Sequence, residues 1–364
     1  MAAQFVPWNS IAESVVELEP RRLSFAQALE SPCDSCRTAP CCTYLPLAQF
    51  RVASLMDLDQ ARYLINFDHI QLTLSASGDW NAYYVYPCRF LNRENFRCTV
   101  HDTPQQPRTC VNYNPYQCLY KRVFTTSQGA DIVRLDHQRV EFVASQVVFD
   151  EHRKIVSLPP WEALIEGCRQ LPALPPPEPT AEPAPDAMAL EWRLQVLAPE
   201  AVASSDTRSR SFASFSDPCD GCGAYCCQTL VFPQPALQSA AHLDFLRFTL
   251  GFPGVEVGLN SSGWQIVVHT RCRHLEQNRC GIYGQPERPL LCQFYDALKC
   301  TFKPRFGQPR PPDFLKVGLE HFAWLSECYA FDENGGLAQA MALPDIRGHI
   351  ETRWRESVAA GVAQ

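Results

Sequence analysis

The chain has 364 residues, 46% of them hydrophobic and 20% charged, which is enough for two globular domains with apolar cores. A net charge of -7 argues against a dedicated nucleic-acid binder. The outlier is cysteine, present 18 times.

The opening stretch MAAQFVPWNSIAESVVELEP lacks a basic region and an apolar core, so it does not read as a secretory signal. No run approaches the ~18 apolar residues of a membrane span. The expected compartment is the reducing cytoplasm, with neither membrane nor nucleic acid as partner. Structural disulfides are rare there, and clustered thiols more often bind metal.

The first dense element is CDSCRTAPCC, which holds Cys33, Cys36, Cys41 and Cys42. The segment LAQFRVASLMDLDQARYLI (47–65) reads as a helix, and a hairpin follows around SGDW (77–80). Cys88, Cys98, Cys110 and Cys118 then fall in irregular, Pro-containing sequence. A helix near 132–148 is expected to close the unit. In WEALIEGCRQL (161–171), Trp161, Leu164, Ile165, Cys168 and Leu171 share one helical face, so Cys168 reads as a small buried hydrophobe. Residues 172–186, PALPPPEPTAEPAPD, read as a semi-rigid Pro-rich linker.

Beyond the linker the order repeats. CDGCGAYCC supplies Cys219, Cys222, Cys226 and Cys227. PALQSAAHLDFLRFTL (235–250) reads as a helix, and VEVGLNSSGWQIVV (255–268) as a half-buried hairpin around a Ser-Ser-Gly turn. Cys272, Cys280, Cys292 and Cys300 follow, then a closing helix near 314–330 in which Cys328 packs. SGDW faces SSGW, TPQQPRTC (103–110) faces QPERPLLC (285–292), and VFDE (148–151) faces AFDE (330–333). The expectation is a tandem duplication: 1–171, the 172–186 linker, and 187–364. Each copy is a small α+β domain of cysteine-rich loops, short hairpins and helices, with few strands. Asp150 and Asp332, in the shared FDE, read as turn residues.

Cys-x2-Cys lets two sulfurs reach one ion. In extended backbone the vicinal cysteines would point to opposite faces and so serve two centres, or one would ligate while the other packs. Eight thiols per copy suit two tetrahedral zinc sites, or one four-thiolate iron–sulfur cluster plus a second centre. His101, His269 and His274 face Tyr283, Val85 and Phe90 of the other copy, so they are not shared ligands. His137 and His321 align through VRLDH and VGLEH and read as helix histidines. Basic residues gather beside the later cysteines, with six Lys/Arg against two Asp/Glu over 88–122 and five against three over 272–304. Arg89 and Arg273 each directly follow a shared cysteine. Such charges suit donors to thiolate sulfur.

The order Cys-x2-Cys, Cys-Cys, then four spaced cysteines, with CGIYGQPERPLLCQFYDALKC (280–300) as its closest stretch, resembles the YkgJ-type cysteine-cluster family. That resemblance implies zinc or iron chelation over roughly 31–122 and 217–304. Both copies lengthen the gap before the Cys-Cys pair. Copy two keeps the family's Tyr283 and Arg288-Pro289, whereas copy one has His101 and Gln106-Pro107. An arginine there can donate to a thiolate or an anionic ligand, so Arg288 is expected to touch the bound group and the second repeat to hold the functional centre. The expected function is a metal-binding protein with an iron–sulfur cluster or zinc in each repeat, serving redox chemistry, metal handling or protein modification. The same motif occurs in flagellin lysine N-methylases with an iron–sulfur cluster, which gives one alternative. A structural zinc module that presents a surface to a protein partner is the other. No Gly-rich S-adenosylmethionine loop, catalytic triad or P-loop accompanies the cysteines, and enzymatic activity stays open.

Overall fold

The computed structural model describes residues 39–113, 132–172, 222–307 and 313–359. Cys33, Cys36, Cys118 and Cys219 lie outside the described residues, as does the expected linker beyond Pro172.

In the first half a 3-10 turn, Pro40–Cys42, leads into β1 (Tyr44–Arg51), α1 (Leu55–Ile65), β2 (Ile70–Ser75) and β3 (Asp79–Val85). Then come α2 (Arg108–Val111), β4 (Ile132–Leu135), α3 (His137–Gln146), the short strands β5 (Val148–Phe149) and β6 (Ile155–Ser157), and α4 (Trp161–Gln170). In the second half a 3-10 turn, Tyr225–Cys227, precedes β7 (Thr229–Pro233), α5 (Ala240–Thr249), β8 (Val255–Asn260) and β9 (Gly263–His269). β10 (Leu275–Glu276), β11 (Arg279–Cys280), α6 (Leu290–Gln293), α7 (Phe302–Phe306) and β12 (Leu315–Val317) follow. The half closes with α8 (Phe322–Ser326), β13 (Tyr329–Phe331), β14 (Leu337–Ala340) and α9 (Leu343–Ala359).

Each half builds a four-stranded antiparallel sheet. The orders, β1-β3-β2-β4 and β7-β9-β8-β12, are the same path through the sheet. The fold is α+β as expected, but the strands are more numerous than expected. The segment 47–65 divides at Ser54. β1 is buried on both faces from Tyr44 to Ala48, so it shows no alternation and its apolar run passes for helix. Ser54 then caps α1, its hydroxyl accepting from the Asp57 N–H at 3.3 Å. Ser239 caps α5 in the same way through the His242 N–H.

The expected closing helices also begin as strands. Ile132–Leu135 alternates between half-buried and buried and pairs with β2, Leu135 opposite Leu72. Asp136 starts α3 by accepting from the Arg139 N–H at 2.9 Å. In the second half Val317 pairs with Val257, and only the five residues of α8 are α-helical before β13. Asp150 and Asp332 each receive two backbone N–H groups in the hairpin turn that follows, which accounts for the shared FDE as turn chemistry.

The two halves share one hydrophobic core. Leu45, Phe50, Leu72 and Tyr84 from the first half and Phe232, Phe252, Ile266 and Val268 from the second belong to a single buried cluster. Each large apolar side chain buried there contributes roughly 1.5–3 kcal/mol. Cys168 is buried within α4, as its helical spacing implied; Cys328 is buried too, but in the turn between α8 and β13 rather than in a helix.

Candidate metal centres

The vicinal cysteines are not extended. Cys41 and Cys42 end one 3-10 turn, and Cys226 and Cys227 end another. Each turn is entered through a left-handed alanine, Ala39 at φ 36° and Ala224 at φ 54°. This curvature corrects the opposite-faces expectation: the sulfurs of each pair lie together, 3.9 Å apart in the first half and 4.0 Å in the second. A shared tetrahedral ion with ~2.3 Å metal–sulfur bonds separates its sulfurs by about 3.8 Å.

The next cysteine is tied to the pair by the same bond in both halves. The Cys88 N–H donates to the Cys42 carbonyl at 2.7 Å, and the Cys272 N–H to the Cys227 carbonyl at 2.7 Å. Cys98 is bridged back to Leu91, and Cys280 to Leu275. Cys110 and Cys292 occupy the third position of one-turn helices that start after Pro107 and Pro289. Cys300 ends a 3-10 turn, where its sulfur accepts the Lys303 N–H at 3.3 Å. Cys222 lies just ahead of the second 3-10 turn, half-buried.

No described cysteine is joined in a disulfide. Among the described residues no three Cys, His, Asp or Glu side chains close around one point as metal ligands. What the structure brings together is an electrostatic neighbourhood. Burial raises Cys88 to about 11, and the thiols of Cys98 and Cys41 add to it. Burial also raises Cys110, with Cys88, Cys41 and Cys98 contributing. In the second half burial pushes Cys292 to about 12; Arg288 opposes this, while Cys272, Cys226 and Cys280 add to it. Thiols that raise one another in this way resist becoming thiolates together unless a cation joins them. The donor set is all sulfur, which suits zinc or iron–sulfur chemistry.

Arg288 separates the two halves. Its guanidinium lies 4.4 Å from the centre of the Tyr283 ring, and its buried Nε has no hydrogen-bond partner among the described residues. The hydrogen bond with Cys227 chiefly lowers Cys226, to about 7, and Arg288 lowers it further while burial opposes. At the corresponding place in the first half, Gln106 instead accepts the Asp102 N–H of its own loop at 2.8 Å.

The histidines take other work. His101 is exposed beside Asp102. His269 pairs with the buried Glu256 at 2.7 Å. His274 reaches the Asn66 side chain across the halves at 3.2 Å. His321 packs between Trp324 and Trp354, and His137 opens α3.

The sequence reading missed what surrounds the thiols. The C-terminal turn of α1 lies on the second half's cysteines: the Tyr63 hydroxyl donates to the Cys226 carbonyl at 3.4 Å, and the Arg273 N–H donates to the Asn66 carbonyl at 2.8 Å. Reciprocally, the Arg89 N–H donates to the Gly251 carbonyl at 2.8 Å. A Cβ at Gly251 would sit 3.2 Å from the Cys88 sulfur, so a glycine is what allows that approach. Arg89 and Arg273 make these ties through their backbones rather than through their charge.

Residues 218–311 match a family described as "CxxCxxCC: Putative zinc- or iron-chelating domain". The matched segment runs from before Cys219 to beyond Cys300. No curated protein and no solved structure matches the chain.

Proposed function

We propose that the chain is a metal-binding protein built by duplication, with thiolate-ligated zinc or iron–sulfur centres in each half. The observation that carries this reading is the paired geometry. In both halves two vicinal sulfurs sit about one tetrahedral edge apart, and the backbone N–H of the next cysteine donates to the backbone carbonyl of the second vicinal cysteine. The match of 218–311 to a zinc- or iron-chelating family supports the second centre, and the shared strand order supports an equivalent first one. The ligands we assign are Cys33, Cys36, Cys41, Cys42, Cys88, Cys98, Cys110 and Cys118, and then Cys219, Cys222, Cys226, Cys227, Cys272, Cys280, Cys292 and Cys300. A bound metal would supply the positive charge that lets these thiols ionise side by side.

The second centre is the chemically active one in this reading. Arg288 favours the thiolate forms of Cys226 and Cys292. Gln106 brings no charge to the first. A redox or metal-handling role follows from a thiolate centre with an adjacent cation. Anaerobic purification followed by elemental and sulfide analysis tests the assignment. Iron with inorganic sulfide selects a cluster and zinc alone selects a zinc site, while absence of both overturns the reading.

A further inference from the structure

Both long helices that follow the vicinal cysteines carry Leu-Asp-x-x-Arg: Leu58, Asp59 and Arg62 in α1, and Leu243, Asp244 and Arg247 in α5. Each aspartate reaches into the other half. The Asp59 carboxylate accepts the backbone N–H of Leu291, next to Cys292, at 3.0 Å. The Asp244 carboxylate accepts the backbone N–H of Thr109, next to Cys110, at 3.0 Å, with the Thr109 hydroxyl at 3.5 Å. The two contacts span 232 and 135 residues of chain and are made at matching positions. Each half therefore holds the turn that carries Cys110 or Cys292 of the other half.

We propose that Asp59 and Asp244 are positioning residues that assemble the two centres crosswise, so that each half completes the other half's cysteine site. This rests on the reading of the thiols as metal ligands. A carboxylate accepting an N–H makes a charge-assisted bond, shorter and stronger than a neutral one. Asp59 is 2% exposed, so water does not compete for its oxygen. Fixing the N–H of residue 291 fixes the one-turn helix α6, and with it the direction of the Cys292 sulfur. The same holds for residue 109, α2 and Cys110. Around these bonds the Arg273 N–H to Asn66 and Arg89 N–H to Gly251 bonds run in the same crossed sense. Arg247 adds a further crossed contact, donating to the Pro104 carbonyl at 2.9 Å. Arg62 has instead turned to Glu141 of its own half.

The test uses the full chain, reduced and stripped of metal, with Zn2+ alone as the probe. Iodoacetamide labelling of each cysteine is read by mass spectrometry with and without Zn2+. In the wild type, Zn2+ should slow labelling of Cys110 and Cys292 alike. In Asp59→Ala, protection of Cys292 should need about tenfold or more Zn2+, the usual scale for losing a residue that orients a ligand, while Cys110 is unchanged. Asp244→Ala should do the reverse. Asp59→Asn keeps an acceptor oxygen and should restore most of the protection. The crosswise assignment is overturned if Asp59→Ala affects Cys110 as much as Cys292, as general unfolding would, or if Asn rescues no better than Ala. Should the wild type show no Zn2+ protection at all, the metal reading fails. The crossed clamp is then judged on metal-free rates, where Asp59→Ala must speed labelling of Cys292 alone.

Discussion

At the scale of single residues, charge and burial decide behaviour. Burial alone would raise the Glu256 carboxyl, but His269, Lys316 and His321 hold it at about 2, below its ordinary 4.5. A depressed folded pKa means that its contribution is present above 4.5 and is lost as pH falls through about 2. The stability gap between wild type and Glu256→Gln, measured by urea unfolding, should therefore shrink steadily as pH falls across that window. Arg288 gives a second residue-level expectation. In the metal-free protein, Arg288→Gln should move the pH midpoint of Cys226 labelling upward from about 7, with the midpoint of Cys98 unmoved. The cysteines themselves divide by role. Cys168→Ser places a hydroxyl in the core and should cost about 1–3 kcal/mol with or without metal. Cys272→Ser should lower the melting temperature only when metal is present, since chelator removes what it would have ligated. The cysteine pairing between halves was legible because a thiol count and its gaps survive without knowledge of shape. The direction of the vicinal sulfurs was not, because it depends on a left-handed Ala39 and Ala224 that no side chain announces.

At the scale of elements, the hairpins were legible and the boundaries beside them were not. VEVGLNSSGWQIVV forms β8 and β9 over nearly those limits, but β8 is buried at every position rather than half-buried, Glu256 and Asn260 included. TYLPLAQFR does not alternate, because β1 is covered on both faces. The strand register also corrects the match of VRLDH to VGLEH. Leu135, not Val133, stands where Val317 stands, so His137 and His321 are not equivalent. The loop before β8 shows how tightly the elements meet. Gly254 has φ 76°, and a Cβ there would lie 3.0 Å from the Tyr84 hydroxyl and 3.2 Å from the His269 carbonyl. Tyr84 donates to the neighbouring Pro253 carbonyl at 2.8 Å, which ties β3 to the loop before β8. Gly254→Ala should thus cost on the order of 1–3 kcal/mol in thermal or urea unfolding.

At the scale of the whole molecule, the halves depend on each other. The Pro-rich stretch invites a division into independent domains, but the common core and the crossed bonds run between the halves. Sequence reading compares the two halves and has no signal for contacts between them; the repeated Leu-Asp-x-x-Arg is visible in the sequence without its meaning. Residues 1–171 and 187–364 produced separately should each bind metal weakly, and co-production should restore binding in a complex that survives gel filtration. The measurement that bears most directly on the central claim is elemental analysis of the anaerobically purified full chain, combined with thiol labelling before and after chelation. The account predicts zinc or iron bound in both halves, with Cys42, Cys110, Cys227 and Cys292 protected until the metal is removed. Less than one metal per chain, with these thiols labelled as readily before chelation as after it, would contradict it.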